Sequence, residues 1–320
     1  MYFREIPGTS LRVSAVGMGT WAMGNDFWGA VDDGECIAAI KAGIDRGITL
    51  IDTAPAYGSG HAEELVGKAI AGRRDEVVLA TKVGVQKGAH DAHVDLRPHA
   101  IRREVDESLQ RLNVDTIDLY QMHWPDPNTA LDDSLDALNR IREQGKVRYL
   151  GVSNFGLRML ERTAERGHIV STQNHYSLLR RDIERDIVPF ALDHGMATFT
   201  YGTLGGGVLT GKYEGIPRFD SQDKRAKFYD FFHEPLWSTI KKFLEPLKEI
   251  AEANGKPVSE IVINWTLWQP GITSVLVGAR NPSQAISNAE AGSWELTNDE
   301  LDEIDSYQEQ LFASPQPAGT

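Results

Sequence analysis

The chain of 320 residues contains one cysteine, Cys36. No disulfide can form within it, and a thiolate-based metal site is not expected. Cys36 lies in the apolar stretch Cys36-Ile37-Ala38-Ala39-Ile40, where it reads as a small buried hydrophobe rather than a nucleophile. No apolar run approaches the ~18 residues that a membrane-spanning helix needs. The start, Met1-Tyr2-Phe3-Arg4-Glu5, has no basic region followed by an apolar one, so a secretory signal is not expected and the expected location is the cytoplasm. Positive charge is in the minority: 33 Lys and Arg stand against 46 Asp and Glu, a net charge of −13. Such a surface repels phosphate backbones and anionic bilayers, which argues against nucleic-acid or membrane partners. A small anionic ligand held by a local cluster of donors stays open. With 41% hydrophobic and 25% charged residues, the composition is that of a globular chain able to bury a large core.

Short runs rich in Val, Ile, Leu and Thr recur along the chain: Val13–Met18, Ile48–Asp52, Val77–Lys82, Ile117–His123, Val147–Val152, Val170–Gln173, Ala197–Tyr201 and Thr273–Val277. Each is too short for a helix and apolar enough for a buried strand. Amphipathic patterns fill the gaps. Ile37, Ile40 and Ile44 share one stripe, Ile101, Val105, Leu109 and Leu112 a second, and Leu131, Leu135, Leu138 and Ile141 a third. The i,i+4 pairs Arg103/Glu107 and Glu107/Arg111 read as a solvated face. Strand alternating with helix implies parallel strands joined by crossovers, and eight such units predict a closed (β/α)8 TIM barrel. The alternative is an open doubly wound sheet, against which stands the absence of Gly-x-Gly-x-x-Gly after the first strand. The opening, with Pro7-Gly8-Thr9-Ser10 as a turn, predicts a short N-terminal β-hairpin. A single domain over 1–320 is expected, with a loose tail from about 313.

Active sites of such barrels lie at the carboxyl ends of the strands. The second strand ends in Asp52 with Tyr57 just beyond, the third in Lys82 and the fourth in His123. Ser153-Asn154 follow the fifth, Gln173-Asn174 end the sixth and Tyr201 ends the seventh. A Lys and an Asp in a barrel mouth are costly unless paired. Paired, Asp52 would hold Lys82, and Lys82 would lower the pKa of Tyr57 below the ordinary ~10. Such a tyrosine suits the protonation of a forming alkoxide or the reverse, with His123 sharing the proton or orienting a carbonyl oxygen. No residue reads as an activated nucleophile and no metal site is expected, so the redox equivalent would come from a nicotinamide cofactor.

These residues carry a resemblance. Gly17-Met18-Gly19-Thr20-Trp21, Asp52-Thr53-Ala54-Pro55-Ala56-Tyr57-Gly58-Ser59-Gly60 with Glu63-Glu64, Ala80-Thr81-Lys82, Asp118-Leu119-Tyr120-Gln121-Met122-His123-Trp124, Gly151-Val152-Ser153-Asn154-Phe155 and Leu204-Gly205-Gly206-Gly207-Val208-Leu209-Thr210-Gly211-Lys212 together resemble the aldo-keto reductases, most closely the bacterial members related to general stress proteins. The resemblance covers almost the whole chain. It implies a catalytic tetrad of Asp52, Tyr57, Lys82 and His123, and reduction of an aldehyde or ketone by NADPH, with NADH also possible. It implies that Ser153, Asn154 and Gln173 hold the nicotinamide carboxamide and that Tyr201 stacks on the ring. The wall would be completed by Gly19, Thr20, Trp21, Asp52, Gly202, Leu204, Gly206, Gly207, Lys212 and Gly278. Backbone amides of the glycine loop would approach the pyrophosphate. Gly202 stands where Ser is common, and Gly206 where some relatives carry Arg.

After the last strand, Asn281 reads as an N-cap and Pro282 as the first helical residue. A helix N-terminus there is an anion site. Arg280 beside it would clamp the 2′-phosphate that distinguishes NADP from NAD, while Gln284 and Asn288 would reach the adenine. Trp21, Phe27, Trp28 and Trp124, from loops at the same rim, suggest a substrate wall with Tyr57 and His123. The expected partner is a small carbonyl substrate. Since potassium-channel β subunits share the family's fold and tetrad, a cofactor-binding sensor with incidental turnover is the competing function.

Overall fold

In the computed structural model, which describes residues 1–85, 93–166 and 168–312, the chain forms a closed barrel of parallel strands ringed by helices. The expected tail from about 313 lies outside the described residues. Two antiparallel strands, β1 (Phe3–Glu5) and β2 (Arg12–Ser14), make the predicted hairpin. The barrel strands are β3 (Val16–Gly19), β4 (Leu50–Asp52), β5 (Val78–Val83), β6 (Ile117–Met122), β7 (Val147–Ser153), β8 (Ile169–His175), β9 (Ala197–Tyr201) and β10 (Ile272–Gly278). They pair in sequence order, and β10 closes on β3. The open-sheet alternative is thereby excluded.

The run Val13–Met18 is not one strand. The chain turns a corner at Ser14-Ala15, where Ser14 Oγ donates to the carbonyl of Val16 (2.7 Å) and accepts from Thr49 N–H (2.9 Å). Both sides of the corner are apolar and buried, so hydrophobicity alone does not mark the break. Ile6, Leu11 and Val13 of the hairpin pack with Leu50, Val78, Leu119, Phe199 and Leu276 from inside the barrel. The hairpin plugs the end at which the strands begin.

The crossovers are α1 (Asp33–Asp45), α2 (His61–Ile70), α3 (Pro98–Leu112), α4 (Leu131–Glu143), α5 (Leu157–Arg166), α6 (Ile187–Asp193) and α9 (Val258–Trp268), preceded after β9 by the short α7 (Arg225–Phe228) and by α8 (Leu236–Asn254); α10 (Pro282–Glu290) and α11 (Asn298–Phe312) follow β10. Each predicted stripe faces the strands: Ile40 and Ile44 of α1, Ile101, Val105 and Leu112 of α3, and Leu131, Leu135, Leu138 and Ile141 of α4 are buried. Cys36 is buried among them. The charged face of α3 is not wholly solvated. Arg111 Nε donates to Glu63 Oε2 at 2.6 Å, and Glu63 is fully buried and also accepts from Thr81 Oγ1. That pair ties α3 to α2 and β5. No helix among the described residues is long and apolar enough to cross a membrane.

Candidate active site

The strand ends open into a cavity of about 720 Å3, within the size range of small-molecule sites. Its walls include Gly19 at the end of β3, Asp52 of β4, His123 after β6, Ser153 and Asn154, Gln173, Tyr201 and Gly278. Period-two alternation aims alternate residues of each strand inward, which is why the polar groups at the strand ends converge.

On the floor, Lys82 is almost fully buried and its ammonium meets three acceptors. They are Asp52 Oδ2 at 2.6 Å, the Thr53 carbonyl at 3.0 Å and Tyr57 Oη at 3.1 Å. Three protons and three acceptors leave nothing unpaired on this buried charge. Asp52 Oδ1 accepts from Gln173 Nε2 at 2.9 Å and from Gln121 Nε2 at 3.4 Å. The His123 ring stands edge-on to Tyr57, with centroids 5.9 Å apart. All four members of the predicted tetrad are therefore together.

The expectation that Lys82 lowers the pKa of Tyr57 fails. Burial, and after it the negative charge of Asp52, push the phenol well above its ordinary value. Sequence reasoning counted the ammonium and left out the burial of the phenol and the opposing charge of Asp52. His123 is pushed the other way. Burial first, then the Lys82 charge, hold its pKa well below the usual histidine range, so it is neutral.

Ser153 Oγ donates to the Gln173 carbonyl (3.0 Å), and Asn154 Nδ2 to the His123 carbonyl (3.0 Å) and to Ser153 Oγ (3.1 Å). Asn154 holds a left-handed backbone, φ +61°, and its Oδ1 accepts from Tyr201 Oη at 2.7 Å. Strand β8 runs past Gln173-Asn174 to His175, whose ring stacks on Tyr201.

In the glycine loop part of the backbone is already engaged. The amides of Gly205 and Gly207 donate to the carbonyls of Gly202 and Leu204, both at 2.8 Å, and so are already used. What the loop offers the cavity is room. A Cβ on Gly206 would stand 2.9 Å from the Tyr229 ring, and Gly206 has φ +68°, a backbone that suits glycine. Arg225 donates to the Gly206 carbonyl (3.1 Å) and pairs with Asp223. Beside Gly207 lie Lys212 Nζ and Arg225 Nη1, each 3.7 Å from where a Cβ would be.

At the far end, Asn281 caps α10 by accepting from Gln284 N–H (3.0 Å), as the sequence predicts, with Pro282 in the first turn. Arg280 lines the cavity and donates from Nη1 to the Trp28 carbonyl (3.1 Å), while its amide donates to Gln284 Oε1. Asn288 Nδ2 donates to the Gly278 carbonyl (3.1 Å). Thr20 is the one expected wall residue that lies behind the wall. It is buried, and both its amide and its Oγ1 donate to the Asp52 carbonyl at 3.0 Å.

Trp21 is the centre of an aromatic cluster with Phe27 (4.7 Å), Trp28 (5.3 Å), Phe228 (5.6 Å) and Tyr57 (6.3 Å between centroids). Trp124 and Phe228 are each 45% exposed at the rim. Sequence reasoning missed Arg225, Phe228 and Tyr229, which also line the cavity. The usable signal was the density of aromatics in Phe228-Tyr229-Asp230-Phe231-Phe232, unusual for a solvated loop. The residues present fit a dinucleotide: a flat ring face at Tyr201, a cradle at Gly206 and Gly207 that side chains would fill, cations beside it, and a capped helix N-terminus beyond.

Comparison with known proteins agrees. A model of the aldo/keto reductase family matches residues 15–309. Aldo-keto reductase YhdN of Bacillus subtilis is 36% identical, over 98% of this chain and 96% of that protein. The structure of a glycerol dehydrogenase from Gluconobacter oxydans superposes with a TM-score of 0.90 at 36% identity, covering 99% of this chain and 98% of that one. An aldo/keto reductase from Klebsiella pneumoniae, solved with NADP and acetate, superposes with a TM-score of 0.76 at 30% identity over 98% and 96% of the two chains. The match runs from just before β3 into α11, and the chain belongs to the aldo/keto reductase family of NAD(P)H-dependent oxidoreductases.

Proposed function

We propose that the chain reduces an aldehyde or ketone with NADPH, and that Tyr57 gives the carbonyl oxygen its proton. The observation that carries this reading is the contact of Tyr57 Oη with Lys82 Nζ on the cavity floor. Bound in the cavity, the cofactor supplies a hydride. Ser153, Asn154 and Gln173 would hold its carboxamide and Tyr201 its ring face. Lys212 and the Gly206-Gly207 turn would take the pyrophosphate, Arg280 and the start of α10 the 2′-phosphate, and Gln284 and Asn288 the adenine. Gly19, Trp21, Gly202, Leu204 and Gly278 complete the walls, and Thr20 acts from behind through the Asp52 carbonyl.

A phenol held above its ordinary pKa stays protonated in neutral solution and is ready to act as an acid. Its O–H bond breaks as the substrate's new O–H bond forms. The phenolate left behind lies beside the Lys82 ammonium, whose hydrogen bond strengthens as charge develops, and it regains a proton from solvent. His123, held neutral, is suited to orienting the carbonyl oxygen rather than to supplying the proton. The wall of Trp21, Phe27, Trp28, Trp124 and Phe228 favours a carbonyl compound with an apolar or aromatic substituent. The test is to incubate purified chain with NADPH or NADH and a panel of aldehydes and ketones. We expect alcohol formed in equal amount to NADPH consumed, fastest for aromatic aldehydes. Tight NADPH binding with no consumption above a protein-free control on any substrate would overturn the reading in favour of a sensor.

A further inference from the structure

We propose that His175 is a positioning residue, a buttress that holds Tyr201 in the plane on which the nicotinamide ring would stack. The proposal rests on the cofactor reading given above. His175 is the last residue of β8 and is paired across the sheet with Tyr201, the last residue of β9. The two rings lie 12° from parallel with centroids 5.3 Å apart. Tyr201 lines the cavity and His175 does not. The histidine therefore supports the tyrosine from behind. Tyr201 is fixed at a second point, where its hydroxyl donates to Asn154 Oδ1. A ring held by its face and by its tip has little freedom to tilt. The opposite edge of His175 meets the ring of Tyr229 at 6.2 Å and 66°, and Tyr229 is also part of the cavity wall. One imidazole thus braces two aromatic walls.

Gly202 explains how the imidazole fits. A Cβ there would stand 2.3 Å from both Cδ2 and Nε2 of His175, and the residue has φ +78°. The space that a side chain at 202 would fill is taken by the histidine ring. The His175 ring is largely buried, and the Gly202 backbone beside it offsets part of that burial by a hydrogen bond. What the ring contributes is its flat face. Burial also pushes its pKa down to about 4, so the stack is made by a neutral imidazole.

The test is a double-mutant cycle read by NADPH binding, followed by fluorescence titration of the cofactor in the absence of substrate. His175→Ala should weaken NADPH roughly three- to tenfold, the range expected for loss of one aromatic pair. In a Tyr201→Ala background the same substitution should change affinity less than about twofold, because the ring that it positions is gone. Gly202→Ala, which drives the imidazole aside without removing it, should reproduce the loss and the same dependence on Tyr201. It serves where His175→Ala folds poorly. An unchanged affinity in both His175→Ala and Gly202→Ala would overturn the proposal. So would an equal loss with and without Tyr201, which is what a purely structural role gives. If the wild-type chain itself binds no NADPH, the cofactor reading falls, and this inference with it.

Discussion

Lys82 and Asp52 show why single residues in this cavity cannot be judged alone. Both are buried, and each makes the other tolerable. Lys82→Met should leave Asp52 as an uncompensated buried charge, costing about 3–5 kcal/mol of stability as well as turnover. Adding Asp52→Asn should restore most of the stability and none of the turnover. Urea unfolding beside steady-state rates separates the two effects. On the proposed function, the Tyr57 phenol, raised above ordinary tyrosine, should set the pH behaviour. Reduction needs the phenol, so its rate should stay flat from roughly pH 6 to 9, while alcohol oxidation needs the phenolate and should rise with pH over the same range. Parallel profiles in the two directions would remove Tyr57 from the proton transfer. His175 contributes to the acid side of stability. The folded pKa of His175 is lowered to about 4 by burial, against ~6.5 when unfolded. The unfolded chain binds more protons between those values. Stability is therefore full above about pH 6.5 and lost as pH falls toward 4, by about 2 kcal/mol at pH 5 from this residue alone. Urea midpoints of wild type and His175→Ala at pH 7.5 and 5 measure the difference.

At the scale of elements, α10 and the Arg280 that precedes it border the cavity. The Asn281 side chain caps it, and Asn281→Ala should cost about 1 kcal/mol of stability. Arg280→Ala should weaken NADPH by ~10- to 150-fold, the worth of a charge-assisted bond, and NADH only a few-fold. Because Arg280 also holds the Trp28 carbonyl, the KM of the carbonyl substrate should rise in the same variant. Titration of both cofactors with a substrate KM series checks this, and equal losses for NADPH and NADH would mean that Arg280 touches a part common to both. The elements were largely readable in advance, since a buried parallel strand is a short β-branched run and a covering helix a periodic stripe. The tetrad was readable for the same reason, because strand ends map onto one rim. Contacts made by tertiary placement were not readable. Arg225 reaches the Gly206 carbonyl from 19 residues away, and nothing local distinguishes it from a surface arginine. The corner at Ser14-Ala15 was hidden because both sides of it are apolar, and His175 because a stack shows only when two strand ends are aligned.

The molecule as a whole separates stability from chemistry along the barrel axis. The hairpin closes one end with Ile6, Leu11 and Val13, and the cavity occupies the other. Leu11→Ala should therefore cost about 2–5 kcal/mol while leaving NADPH affinity unchanged, a contrast that unfolding curves and cofactor titration show directly. Net charge is −13, yet Lys212, Lys224 and Arg280 stand at the cavity rim, so an anionic ligand meets cations there that the net charge of the chain does not suggest. On the proposed function this architecture would bring one phenol to a carbonyl oxygen, and that central claim is tested by Tyr57→Phe. With an unactivated aldehyde and saturating NADPH, turnover should fall by ~10²–10⁴-fold while NADPH affinity stays within about twofold of wild type, because the hydroxyl acts on the proton and not on the cofactor. Wild-type turnover in that variant would contradict the account.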